Sequence, residues 1–161
     1  MKKIAVCGLM IALAMAFSYI ESLIPVPFAV PGIKLGLANI VVVFSLYKLG
    51  IKEAISVSII RVILVAFLFG SLSSMIYALS GAFFSIILMI LLKKYSGLHI
   101  ISVSVAGAIG HIGGQLLVAG MVVGYEPLLF YMAPLLVAAF ITGVLVGALA
   151  NLLVKRIPID M

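Results

Sequence analysis

The chain has 161 residues, of which 66% are hydrophobic and 9% are charged, and its mean hydropathy is +1.49. A soluble domain has about 45–50% apolar and about 25% charged residues, and a chain of this length could not bury so much apolar surface. The composition therefore excludes a soluble enzyme and a disordered chain. The formal net charge of +6 does not indicate nucleic acid as a partner, because basic residues of membrane proteins collect in cytoplasmic loops.

Apolar segments separated by charged residues, glycine and proline predict six transmembrane helices. One helix needs about 20 apolar residues to cross a bilayer, so six would use about 120 residues of this chain. The predicted spans are residues 4–24, 35–49, 54–70, 75–92, 100–125 and 128–154. The predicted fold class is an all-α integral membrane protein, with residues 1–161 forming a single membrane domain.

The basic residues predict how the helices are oriented. If the N-terminus is cytoplasmic, eight of the ten lysines and arginines fall on the cytoplasmic side: Lys2, Lys3, Lys48, Lys52, Lys93, Lys94, Lys155 and Arg156. This distribution follows the positive-inside rule. We therefore expect both termini in the cytoplasm and a multi-pass protein of the plasma membrane, of bacterial type.

The N-terminal segment has a second interpretation. Lys2, Lys3, the apolar run and the sequence Ala14-Met-Ala16 together imitate a signal peptide with its cleavage site. The apolar run continues to Ile24, however, and this length favours an uncleaved helix. Cys7 is the single cysteine, so the chain has no disulfide framework, and we expect it to be a small buried residue.

Two basic residues depart from the cytoplasmic pattern. Arg61 lies near the middle of the third predicted span, where a charge costs at least about 2.5–3.5 kcal/mol. Lys34 lies where the first outer loop enters the second span. Either could bind an anionic group of a ligand, such as a carboxylate or phosphate. Alternatively, Arg61 forms a structural ion pair and Lys34 reaches the membrane interface or pairs with Glu21.

The fifth span carries a second group of polar residues. His111 and Gln115 are four residues apart, so they share one face of a helix. They either form hydrogen bonds between helices or line a ligand cavity. Gly110 and Gly114 on the same helix permit close approach of a neighbour. Asn39, a few residues into the second span, is a further candidate ligand residue.

The chain gives little support for catalysis. Its four acidic residues are Glu21, Glu53, Glu126 and Asp160, and none is close to another in sequence. Hydrolysis by paired carboxylates and magnesium-dependent diphosphate chemistry both need clustered acids. We therefore predict no catalytic residues, no cofactor and no metal site. The scarcity of acids within the spans also argues against an ion-coupled permease and favours uptake that a separate ATPase drives.

Two segments carry a resemblance to a known family. The first helix contains Ala12-Leu-Ala-Met-Ala16, and the chain continues through a proline-containing loop to Gly32-Ile-Lys-Leu-Gly-Leu-Ala-Asn39. In these segments, in length and in span count, the chain resembles the Gx-transporter family. That family is also labelled heptaprenyl diphosphate synthase component I and is similar to the S components of energy-coupling-factor transporters.

The resemblance implies a function. S components are six-helix proteins that capture vitamins or related small molecules outside the cell and deliver them through a transmembrane coupling protein with two ATPases. Small residues on their first helix dock the coupling protein, and Ala12 and Ala16 match that motif. By position, the ligand cavity would use Lys34, Tyr77, His111, Gln115 and Tyr131, whereas Arg61 is not implied by the resemblance.

Two functions of different kinds follow. The first is an S-component-like protein for uptake of a small anionic or amphipathic molecule. The second is a non-catalytic membrane subunit or lipid binder in isoprenoid or quinone metabolism, as the other family label suggests. A prenyl diphosphate synthase needs aspartate-rich magnesium clusters, and this chain has one aspartate, Asp160. The synthase itself would therefore be another chain.

Overall fold

The computed structural model describes residues 2–23 and 36–158. These residues form six α-helices, and no strand occurs among them. The helices are α1 Lys2–Leu23, α2 Leu37–Lys48, α3 Ile51–Phe69, α4 Leu72–Tyr95, α5 Ile100–Val123 and α6 Glu126–Arg156. The all-helical fold class is confirmed, and each predicted span overlaps one of these helices.

Four of the helices in the described ranges, α1, α4, α5 and α6, are long and apolar enough to cross a membrane. The other two differ from ordinary spans. Helix α2 has 12 residues and is about 18 Å long, shorter than the roughly 30 Å hydrocarbon core. Helix α3 has 19 residues and carries Lys52, Glu53 and Arg61. Six membrane crossings and the orientation of the termini therefore stay predictions.

Short connections arrange consecutive helices as antiparallel neighbours. Only two residues separate α2 from α3, α3 from α4 and α5 from α6, and such short links join antiparallel helices. One end of the bundle, which we call the basic end, therefore holds the start of α1, the end of α6 and the α2–α3 and α4–α5 connections. The opposite end, the cavity end, holds the end of α1, the start of α2 and the α3–α4 and α5–α6 connections.

Helix α2 lies in the core of the bundle. Residues 40–46 are all buried, so the helix is covered around its whole circumference, and it packs on α1, α3 and α6. A helix that is apolar on every face needs such an environment. Many large apolar side chains of the other helices are exposed instead, among them Phe67, Phe83 and Phe130. Exposed apolar surface on this scale fits a lipid environment.

Helices α4, α5 and α6 pack through glycines. A methyl group at Gly114 of α5 would lie 2.6 Å from the carbonyl oxygen of Ser80 on α4. Methyl groups at Gly143 and Gly147 of α6 would lie 2.7 Å from Cα atoms of α5. Glycine is therefore required for the backbones to come this close. The predicted close packing of Gly110 and Gly114 against a neighbouring helix is what the structure contains, with α4 as the neighbour.

Candidate functional site

A cavity of about 210 Å³ lies between the helices toward the cavity end. All six helices contribute to its lining. Its polar lining consists of Ser18, Glu21, Ser22, Asn39, Arg61, Ser74, His111, Gln115 and Thr142. Its apolar lining comes mainly from α3 and α6, with smaller contributions from α4 and α5. The cavity therefore combines a few polar groups with a larger apolar wall, as small-molecule sites commonly do.

Four of the seven predicted ligand residues are brought together here. Asn39, Arg61, His111 and Gln115 come from three different helices and all line the cavity. Arg61 is the eleventh residue of α3, and His111 is the twelfth residue of α5. Both helices start at the basic end, so the two side chains lie at a similar depth in the bundle.

The other three predicted ligand residues are not in this group. Tyr77 on α4 is partly buried and Tyr131 on α6 is 44% exposed, and neither lines the cavity. Lys34 lies outside the described residues, two positions before Gly36, which does line it. A role for these three residues in binding stays a prediction.

The guanidinium group of Arg61 has an unsatisfied donor. Its Nε atom is buried and has no hydrogen-bond partner within the described ranges. A buried donor without a partner costs about 1–3 kcal/mol, and more when the group is charged. The Coulomb interaction with Glu21, which lines the same cavity, offsets part of the cost of the charge. Arg61 also lines the cavity, so its positive charge lies beside the space that a ligand would occupy.

Glu21 connects the end of α1 to the start of α2. It is 8% exposed, and its carboxylate accepts a hydrogen bond from the backbone N–H of Gly36. Gly36 precedes α2 and has a φ of 75°, a left-handed conformation that favours glycine. A carboxylate at a helix N-terminus is favourable because the helix dipole is positive there. Glu21 therefore holds the N-terminus of α2 at the wall of the cavity.

Close packing between α4 and α5 orients the wall that carries His111. A methyl group at Gly81 of α4 would lie 2.9 Å from Cε1 and 3.0 Å from Nδ1 of the His111 ring. The hydroxyl of Ser80 donates a hydrogen bond of 2.7 Å to the carbonyl oxygen of Gly114, next to Gln115. Gly81 and Ser80 thus help to fix the positions of the imidazole and the amide in the cavity.

Sequence reasoning did not assign several lining residues to the ligand site. Glu21 was considered only as a partner for a cation, and Thr142 was not singled out. Thr142 is a polar residue near the middle of an apolar helix, a signal like the one that marked Gln115. Its hydroxyl donates to the carbonyl oxygen of Ala138 at 2.9 Å, which leaves its oxygen able to accept. Ser18, Ser22 and Ser74 carry no signal of this kind.

One family model matches nearly the whole chain. The model of the family described as heptaprenyl diphosphate synthase component I matches residues 10–153. This range includes the cavity residues and at least part of every helix. No curated protein and no solved structure matches the chain. By this match, the chain belongs to the heptaprenyl diphosphate synthase component I family.

Proposed function

We propose that this chain is a membrane substrate-binding protein similar to an S component, which captures a small anionic or amphipathic vitamin-like molecule for uptake by a separate coupling module. The observation that carries the proposal is the cavity, which gathers polar side chains from all six helices inside an apolar bundle. Polar and charged side chains are costly at membrane depth and usually face a partner, water or a ligand. A binding cavity accounts for Arg61, His111 and Gln115 together.

The distribution of charge supports capture from outside the cell. The eight basic residues of the predicted cytoplasmic group all belong to the basic end, opposite the cavity end. The positive-inside rule favours a cytoplasmic basic end, and the cavity end then faces outward. Lys34 belongs to the connection between Glu21 and Gly36, so it stays a predicted ligand residue on this side.

The surface of α1 supports docking of a coupling protein. Ala12 and Ala16 are exposed, and Gly8, four residues before Ala12, has no neighbouring atom within 4 Å of an added methyl group. Together these three residues leave a stripe of small side chains on one face of α1. Such a stripe lets another membrane helix approach closely.

Reconstituted transport would test the proposal. The chain is purified with and without a coupling protein and two ATPases from the same source, and uptake of the molecule that co-purifies with it is measured in vesicles. We expect uptake to need ATP hydrolysis. Ala12→Leu and Ala16→Leu are expected to abolish uptake and to keep ligand binding, because leucine prevents close helix approach. Ala148→Leu, at an exposed alanine of α6, is the matched control.

Two results would contradict this function. One is uptake that continues without ATP and stops with an ionophore, as an ion-coupled permease predicts. The other is a chain that binds its ligand but never associates with a coupling module.

The family description favours a second candidate, a non-catalytic membrane subunit or lipid binder in isoprenoid or quinone metabolism. This candidate predicts an apolar ligand that enters between helices from the lipid, and no coupling to ATP hydrolysis. Co-purification of a prenyl lipid in place of a small polar molecule would favour it. Native mass spectrometry of the purified protein distinguishes the two candidates directly.

A further inference from the structure

The cavity has a nearly balanced set of charges. Within the described residues, its lining holds one arginine, Arg61, and one acid, Glu21, and its other polar groups are hydroxyls, amides and one imidazole. The carboxylate of Glu21 already accepts the backbone N–H of Gly36 at the start of α2. The positive end of a helix dipole stabilises that negative charge, and Glu21 offsets part of the charge of Arg61. Arg61 is the one cation in the described lining and therefore the group there that would attract an anion.

The guanidinium of Arg61 suits an anionic group with two acceptor oxygens, such as a carboxylate or a phosphate. Its Nε atom is buried and has no hydrogen-bond partner in residues 2–23 and 36–158. A carboxylate has two acceptor oxygens that match the planar fork of Nε and Nη donors, and such pairs are often bidentate. A ligand carboxylate against the guanidinium in the cavity would neutralise its charge.

The cavity is unsuited to a diphosphate with a long chain. Its volume of about 210 Å³ is below the range of about 300–1,000 Å³ that is usual for small-molecule sites, which favours a compact ligand. A diphosphate also carries more than one negative charge, whereas the described lining offers a single cation, Arg61. Enzymes bind such groups with several cations or with metal ions. No group of three or more metal-ligating side chains occurs in the described part of the chain.

We infer that the ligand of this cavity is a compact molecule with a single carboxylate, which binds Arg61, and that prenyl diphosphates are not its ligands. This inference rests on the proposed function in so far as the cavity binds a small molecule. His111 and Gln115 face the same space from α5, and they would bind polar atoms on the remainder of the ligand. The apolar wall would cover its hydrocarbon part.

The test uses the full chain in lipid nanodiscs and a set of compact ring and chain monocarboxylates, each paired with its neutral carboxamide. Inorganic pyrophosphate and isopentenyl diphosphate complete the set. Binding is measured by thermal stabilisation and then by calorimetry. We expect the best carboxylates to bind at least about tenfold more tightly than their carboxamides and the two diphosphates to bind more weakly than the carboxylates.

Two variants connect this preference to the arginine. Arg61→Gln is expected to remove the difference between carboxylate and carboxamide, and Arg61→Lys to keep only part of it because lysine lacks the planar fork. Lys94→Gln removes the same charge at an exposed position of α4 and is expected to keep the preference. If Arg61→Gln does not fold, Arg61→Lys and the ranking of ligands by the unaltered chain still decide the question.

Three results would overturn the inference: tighter binding of a diphosphate, a carboxylate preference that survives in Arg61→Gln, or no stabilisation by any carboxylate in the set. Binding of a diphosphate that depends on Arg61 would overturn the ligand class and leave the proposed uptake function intact. A confirmed carboxylate preference without coupling to an ATPase would support the ligand class and contradict the proposed uptake function. The two proposals can therefore fail separately.

Discussion

The two halves of the bundle pack in different ways. Helices α4–α6 approach one another through glycines. A methyl group would meet backbone atoms at Gly114, Gly143 and Gly147, and side chains of α4 at Gly107 and Gly110. Helices α1–α3 contain one glycine, Gly8, which touches no neighbour. They pack instead through valine, isoleucine, leucine and alanine around the short buried α2.

The two halves of the bundle also contribute different groups to the cavity. The glycine-packed half presents Ser74, His111, Gln115 and Thr142, on helices that cannot shift without a clash. The other half presents the two charged residues of the described lining, Glu21 and Arg61. The closely packed half therefore fixes the shape of the cavity wall. The half whose helices meet through side chains supplies the charged groups. The predictions that follow test this division, from the largest expected effect to the smallest.

Gly114→Ala should destabilise the closely packed half most strongly. The new methyl group would lie 2.6 Å from the carbonyl oxygen of Ser80 and 2.8 Å from the ring of Phe84, so α4 and α5 must separate. We expect a loss of about 3 kcal/mol, the upper part of the range for overpacking, in unfolding measured in mixed micelles. Gly113→Ala is the control, because that position is exposed and has no atom within 4 Å. Equal effects at the two positions would show that close packing does not stabilise this half.

Glu21→Gln should weaken the charged half. The change removes a charge-assisted hydrogen bond to the backbone of Gly36 and the Coulomb interaction with Arg61. We expect a loss of about 2 kcal/mol of stability. Glu126→Gln changes the same group at the exposed start of α6 and should cost less. A double-mutant cycle with Arg61→Gln should give a non-zero coupling energy, and strict additivity would refute the interaction.

Gly81→Ala should lower ligand affinity by up to about tenfold, or about 1.4 kcal/mol. Its methyl group would press on the ring of His111 and on that residue's carbonyl oxygen, both about 2.9 Å away. Calorimetry with the best-binding carboxylate measures the effect, and Gly113→Ala again serves as control. Unchanged affinity in a folded variant would mean that Gly81 does not position the imidazole.

Lys93→Met should have the smallest effect, about 1 kcal/mol of stability. The ammonium group of Lys93 donates to the carbonyl oxygen of Leu46 near the C-terminus of α2 and lies 4.8 Å from the centroid of the Tyr47 ring. Charged side chains thus hold both ends of α2, Glu21 at its start and Lys93 at its end. Lys94→Met, at the exposed neighbouring position, should be nearly neutral. A larger loss for Lys94→Met would contradict this account.

Several features of the fold could be predicted because they depend on local composition. The apolar segments are long, and Gly-Ser, Leu-Gly and Gly-Tyr connections interrupt them sharply, so the helices lie close to the predicted spans. Arg61, His111 and Gln115 stood out because polar side chains are rare in such segments. The shortness and full burial of α2 were not predictable. A helix that faces lipid and a helix in the protein core can both be apolar on all faces, so the pattern of α2 does not distinguish them.

The partners of the site residues were also beyond sequence reasoning. Ser18 and Thr142 line the cavity because of the positions of α1 and α6 in the bundle. Tyr77 and Tyr131 do not line it because they lie on other faces of α4 and α6. Gly81 on α4 lies against His111 on α5. The two residues are 30 positions apart, and the sequence does not indicate that they are neighbours. Such contacts depend on how the helices rotate and cross, which the packing of all six decides together.

By itself, the sequence indicated a lipid environment and an all-helical fold. It also identified the polar and charged residues that are unusual in apolar helices. Hydrophobicity and charge act locally, so they can be read along the chain without knowledge of neighbours. The tertiary structure alone decided that four of those residues meet in one cavity, that Glu21 holds the start of α2 and that Nε of Arg61 is buried without a hydrogen-bond partner among the described residues. Those facts depend on distances between helices that are far apart in sequence, and only packing sets such distances.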